Sequence, residues 1–187
     1  MRPQQDKAEH FKAIDYLEVP DLMRILEGSK SIGSAALQFT ILTALRSGSI
    51  RAATWSQIQL EEARWVIPAE NMKTGEEFIV PLSVAARTLL LELDERRSKA
   101  SDLLFPSPKD PQKPLSENTM RKLLQTHYER ATVHGMRAAF RTWAREIVEA
   151  PDDVAEVSLA HAIGTKTTRA YNRSNLYRGL ILLKNTC

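Results

Sequence analysis

One stretch in the first half of the chain constrains the fold most strongly, because it holds short apolar segments separated by turn residues, as β-strands do. Three apolar segments, at 58–60, 65–67 and 78–80, are separated by polar turns, and Pro81 ends the last segment. This arrangement is typical of short antiparallel strands joined in sequence. Before and after these three segments, the apolar residues have the spacing of α-helices. We therefore predict a mainly α (α+β) domain with a small three-stranded antiparallel sheet.

Capping residues and apolar spacing predict the helices around this sheet. They are expected at 19–28, at 35–45, in a short segment after Ser47, at 83–99, after Ser116 and from Pro151 onward. The proline-rich stretch 106–114 is expected to be a surface loop within one domain. Residues 1–17 are polar and are expected to form a partly flexible N-terminal extension, followed by a single domain over 18–187.

Composition excludes several classes of protein. No apolar run approaches the roughly 18–20 residues that a membrane-spanning helix needs. The single cysteine, Cys187, cannot form an internal disulfide, so cytoplasmic residence is the default expectation. Neither a glycine-rich phosphate loop nor a cluster at metal-ligand spacing is present. We therefore expect no cofactor and no metal.

Charge is distributed unevenly along the chain. Residues 1–120 hold 15 Lys and Arg against 17 Asp and Glu, whereas residues 121–187 hold 11 against 6. A basic C-terminal third suggests a polyanionic partner. An ordinary solvated surface with basic residues at helix ends would have the same composition, so charge alone leaves both interpretations open.

A set of dispersed residues suggests phosphodiester chemistry. Arginines can clamp the non-bridging oxygens of a phosphate, a tyrosine can attack phosphorus, and a lysine or histidine can protonate the leaving oxygen. Each residue alone is unremarkable, since a lone tyrosine or His-x-x-Arg is more often structural. The set, in chain order, is Arg46, Lys73, His134, Arg137, His161 and Tyr171.

The segments around these residues resemble the tyrosine recombinase (phage integrase) family, in particular the catalytic domain of prophage-type integrases. The similar segments are LTALRSGSIRAATWSQIQ, ARWVIPAENMKTGEEFIVPLS, HGMRAAFRTWARE and EVSLAHAIGTKTTRAYNRS. They occur in the family's order and cover the chain from about Val19 to Leu183. The resemblance implies a helical catalytic domain with a small sheet. It also implies that the arm and core-binding domains are absent.

The resemblance also implies a role for each residue. Arg46 and Arg137 would bind the scissile phosphate, and Lys73 would protonate the 5′ oxygen. His134 would assist proton transfer, and His161 would hydrogen-bond the phosphate. Tyr171 would form a covalent 3′-phosphotyrosyl bond. The implied activity is metal- and ATP-independent strand transfer on double-stranded DNA, by a chain that is a monomer alone and a tetramer on DNA.

Two residues depart from the family pattern. Ala44 stands where the family usually has glycine, and Ser49 stands where a glutamate usually supports the arginines. An alternative function is therefore a catalytically impaired prophage remnant that only binds DNA. A helical protein-interaction module with coincidental motifs is a third possibility. The target DNA sequence, and integration as opposed to excision or resolution, cannot be inferred from the sequence.

Overall fold

The computed structural model describes residues 13–72 and 75–161. Within these ranges the chain forms a mainly helical domain with one small sheet, which confirms the predicted fold class. The helices are α1 Val19–Glu27, α2 Ile32–Thr43, α3 Ser47–Arg51, α4 Val84–Asp94, α5 Glu117–His127, α6 Gly135–Glu146 and α7 Asp152–Ser158. The strands are β1 Ile58–Gln59, β2 Arg64–Ile67 and β3 Phe78–Pro81. No helix in the described ranges is long and apolar enough to cross a membrane.

The sheet is an antiparallel meander in the order β1-β2-β3, as the three apolar segments separated by polar turns predict. Trp65 of β2 pairs with Ile58 on one side and Val80 on the other. Its side chain is fully buried, and its ring centroid lies 5.4 Å from that of Phe39 in α2. The sheet therefore packs one face against the helical core.

Helix α2 is the centre of the domain and packs against α1, α4 and α5. It begins three residues earlier than the predicted 35–45, because the Ser31 hydroxyl caps it by accepting from the Ser34 amide at 3.1 Å. It also ends earlier, because Ala44 turns into the left-handed region at φ 56° and its amide bonds the Thr40 carbonyl at 2.9 Å. Leu45 is buried beyond the helix rather than within it.

Helix α4 ends at Asp94, so the prediction that it continues to Lys99 is wrong. Leu93 is the last of its buried apolar residues, and positions 94–100 are exposed. Without an apolar face to bury, the helix has no packing to extend it. Arg97 instead turns back, pairing with Asp102 at 2.9 Å and lying 4.9 Å over the Trp55 ring.

Helices α6 and α7 form a second, smaller core cluster that includes Phe140, Val154 and Leu159. Helix α7 also ends in a left-handed alanine, Ala160, at φ 50°. The Ala160 amide bonds the Val157 carbonyl at 2.8 Å, and the His161 amide bonds the Glu156 carbonyl at 3.0 Å. This pair of bonds is a Schellman motif, and it fixes the position of His161 relative to α7.

Candidate active site

An open cavity of about 410 Å³ lies where the end of α2, the turn after β2 and the start of α6 approach each other. Three of the six residues singled out from the sequence line it: Arg46, His134 and Arg137. His161 contacts Arg137. The complete lining is Leu45, Arg46, Ser47, Gly48, Ser49, Asn71, Met72, Val133, His134, Arg137 and Ala160.

Arg137 is the most constrained of these residues. It lies in the first turn of α6 and is only 4% exposed. Its Nη1 donates to the Ala44 carbonyl at 2.6 Å, and its Nη2 donates to the Leu159 carbonyl at 2.7 Å. Nη2 also lies 2.9 Å from Nε2 of His161. The guanidinium is therefore held between the ends of α2 and α7.

The electrostatics of the cavity favour an anion. Burial, with a further contribution from Arg46, lowers the pKa of Arg137 to about 10, so it remains protonated at neutral pH. Burial also lowers the pKa of His134, and the charges of Arg137 and Arg46 lower it further. Both pKa values are lowered for the same reason, because positive charges lie close together where little water reaches them. A bound anion would reduce the repulsion between these charges.

Arg46 is arranged differently from Arg137. It directly precedes α3, and its carbonyl accepts from the Ile50 amide at 3.2 Å, but its guanidinium is exposed and forms no hydrogen bond or ion pair with residues 13–72 or 75–161. Ser49, one turn further on, lines the same cavity and provides no carboxylate to orient the guanidinium. Arg46 is thus at the site but is not held there by a described neighbour.

The other two candidate residues, Lys73 and Tyr171, lie outside the described residues. Met72, which directly precedes Lys73 in the sequence, lines the cavity. Tyr171 follows His161 by ten positions in the sequence.

The structure also identifies residues that the sequence did not point to. Glu156 lies 2.6 Å from Nδ1 of His161 and 2.7 Å from Nε of Arg141. The carbonyls of Ala44 and Leu159 also hold Arg137. Every residue has a backbone carbonyl, so the sequence cannot indicate which ones accept these bonds. For Glu156 a weak signal was present, because an acid five positions before a histidine can meet it where a helix ends.

Sequence comparison identifies the family to which this mainly helical domain belongs. The model of the phage integrase family matches residues 12–178. The chain therefore belongs to the phage integrase family. It is 36% identical over 155 residues to Prophage integrase IntZ of Escherichia coli (strain K12), covering 81% of this chain and 38% of that protein. It is 31% identical over 183 residues to the Integrase of Enterobacteria phage P4, covering 88% of this chain and 42% of that protein.

Solved structures share the fold at lower sequence identity. The integrase from mycobacterium phage Brujita matches with a TM-score of 0.73 at 16% identity, over 98% of this chain and 61% of that one. A lambda integrase (75–356) dimer bound to a COC′ core site matches with a TM-score of 0.63 at 20% identity, over 86% and 61%. The chain spans about two fifths of the length of the curated relatives described above.

Proposed function

We propose that this chain is the catalytic domain, over residues 18–187, of a site-specific DNA recombinase that cleaves and rejoins DNA through a covalent 3′-phosphotyrosyl intermediate. The observation that carries the proposal is the cavity that Arg46, His134 and Arg137 line together, with His161 bonded to Arg137. Four residues drawn from distant parts of the chain meet at a site whose electrostatics favour an anion. The reaction requires neither metal nor ATP.

Arg137 is the fixed half of the proposed phosphate clamp. Described residues use three of its five N–H groups, which leaves Nε–H and one Nη1–H for the non-bridging oxygens of a phosphate. Arg46, which lines the same cavity, would provide a second guanidinium. Fixed cations at the phosphate stabilise the negative charge that builds in the transition state.

Tyr171 is the proposed nucleophile and Lys73 the proposed general acid. A phenol with an ordinary pKa of about 10 is about one part in a thousand ionised at pH 7, so nearby cations must assist its deprotonation. The arginines of the cavity would do so, and His134 would assist proton transfer. That Met72 lines the cavity supports a role for the adjacent Lys73.

The proposed partner is double-stranded DNA. Structural neighbours include lambda integrase as a dimer on a COC′ core site and as a tetramer bound to a Holliday junction. By analogy, we propose that this chain is a monomer alone and assembles as a tetramer on DNA. His161 would then hydrogen-bond the scissile phosphate from the side of α7.

A second candidate function is DNA binding without cleavage, as in an impaired prophage remnant. The observation in its favour is the exposed Arg46 side chain, which no described carboxylate orients, with Ser49 at the position one turn away. A misplaced clamp would bind DNA through charge yet fail to stabilise the transition state.

A trapping experiment distinguishes these functions. Because the target sequence is unknown, the substrate is a pool of randomised duplexes with a nick near one end, so that the short strand leaves after cleavage. We expect a protein–DNA adduct that survives denaturing electrophoresis and is missing with Tyr171→Phe. Salt-sensitive DNA binding without any adduct would favour the remnant. The absence of both binding and adduct would refute both functions.

A further inference from the structure

Glu156 links two side chains beside the proposed phosphate site. It lies on α7, and its side chain is one quarter exposed. Oε2 lies 2.6 Å from Nδ1 of His161, and Oε1 lies 2.7 Å from Nε of Arg141. Hydrogen bonding from His161 is the main cause of a lowered pKa at Glu156, so the carboxylate is ionised at neutral pH. The hydrogen bond at Oε2 orients the carboxylate toward His161, whereas Oε1 is paired with Arg141 by charge and has no hydrogen-bond partner among the described residues.

These contacts determine which nitrogen of His161 carries the proton. A guanidinium has donors only, so Nε2 of His161 must accept the bond from Arg137. A neutral imidazole has one N–H, which therefore lies on Nδ1 and donates to Glu156. In this state His161 is an acceptor at the nitrogen that faces Arg137 and has no proton there for an anion.

A phosphate oxygen is an acceptor, so His161 can bond it through Nε2 only after that nitrogen gains a proton. Nδ1–H remains with Glu156, so one proton taken up from solvent converts the ring to the imidazolium. Arg137 and His134 from the α6 side, and Arg46 from the start of α3, oppose this charge. Glu156 is the acidic group in contact with the ring, and Arg141 acts only through it.

We propose that Glu156 is a positioning residue for the phosphate site, which holds His161 by Nδ1 and stabilises the imidazolium that donates to a phosphate oxygen. This inference rests on the proposed function for its biological meaning. Its physical content is more general: anion binding in the cavity is linked to proton uptake by His161, and Glu156 is required for that part of the linkage.

Inorganic sulfate tests the inference, because its charge is constant between pH 6 and 8 and any pH dependence must come from the protein. We expect wild-type affinity to rise as pH falls. In Glu156→Gln, which can still accept from Nδ1–H but lacks the charge, we expect sulfate binding at pH 6 to weaken about tenfold, the size of one lost charge-assisted hydrogen bond, and to lose the part of its pH dependence that His161 contributes.

The chain provides a matched control for a merely structural role. Arg145 and Asp152 also join α6 to α7, at 3.4 Å, but neither contacts His161 in the structure. Asp152→Asn makes the same change of charge on α7 and should bind sulfate as wild type does. Glu156→Asp keeps the charge but withdraws the carboxylate, so it should also weaken binding. Urea unfolding of each variant confirms that it is folded.

The outcomes separate this inference from the proposed function. Wild-type sulfate affinity and pH dependence in Glu156→Gln would overturn it, as would a wild-type chain that binds no sulfate. Equal weakening in Asp152→Asn and Glu156→Gln would also overturn it, because helix docking would then explain the effect. If Glu156→Gln alone is impaired while wild type forms no DNA adduct, the positioning role stands and the proposed recombinase activity fails.

Discussion

The hydrogen bonds of Arg137 lead to a prediction that needs no DNA substrate. Its guanidinium spans three acceptors: the carbonyls of Ala44 and Leu159 and the ring of His161. Two different nitrogens make the carbonyl contacts, at 2.6 and 2.7 Å. Lysine keeps the positive charge but concentrates its donors on one nitrogen, so Arg137→Lys cannot reproduce this fork.

The magnitude follows from the acceptors that lysine would leave unpaired. At least one and at most two of the three contacts are lost, and each unsatisfied buried group costs about 1–3 kcal/mol. We therefore expect Arg137→Lys to lower the free energy of unfolding by about 1–6 kcal/mol. For a chain of this size, that corresponds to a fall in Tm of roughly 2–24 °C.

Urea denaturation followed by circular dichroism measures this loss. Arg145→Lys is the matched control, because Arg145 lies on the same helix but is 57% exposed and pairs only with the exposed Asp152. We expect it to change stability by less than about 0.5 kcal/mol. If Arg137→Lys were as stable as Arg145→Lys, Arg137 would not hold the ends of α2 and α7 together, and the preformed phosphate clamp would lose its structural basis.

Three further predictions concern the site and its charge. Lys73→Ala should lose adduct formation on ordinary DNA but recover it on a duplex with a 5′-bridging sulfur, because a thiolate leaving group needs no general acid; failure to recover would argue against that role. The pKa of His134 is lowered in the folded protein, so the unfolded state binds more protons below about pH 6.5, and stability should fall from pH 7.5 to 5.5. The urea midpoint of His134→Gln should fall less over this range, and an equal fall would contradict the assignment. Affinity for duplex DNA should decrease steeply with salt, as binding measurements at two or more salt concentrations would reveal, and salt-independent binding would exclude a mainly phosphate-based interface.

The fold was largely predictable because its main signals are local. Short apolar segments between polar turns predicted the strands, and Gly28, Ser116 and Pro151 lie next to helix ends that the structure contains. The errors lie at helix ends that tertiary structure determines. Ala44 leaves α2 in a left-handed conformation, which alanine adopts only with strain, so no local preference could have indicated it.

The candidate site was predictable only in part. The side chains of Arg46, His134, Arg137 and His161 could be selected because their chemistry suits a phosphate and their order resembles that of a family. Glu156 was not selected, because its role depends on the helix end that brings it to His161. Lys73 and Tyr171 remain predictions.

Two left-handed alanines, Ala44 and Ala160, explain how the site can keep a buried positive charge. Ala44 and Ala160 lie just beyond the ends of α2 and α7, where the carbonyls of Ala44 and Leu159 turn toward Arg137. Carbonyl dipoles hold a guanidinium in place without cancelling its charge, whereas a carboxylate in the same position would neutralise it. Among the described residues, the acid in this network is Glu156, which contacts His161 rather than Arg137 and offsets only part of the lowering of the Arg137 pKa. The arrangement costs stability, as the lowered pKa of Arg137 indicates, and it leaves the positive charge available to an anion.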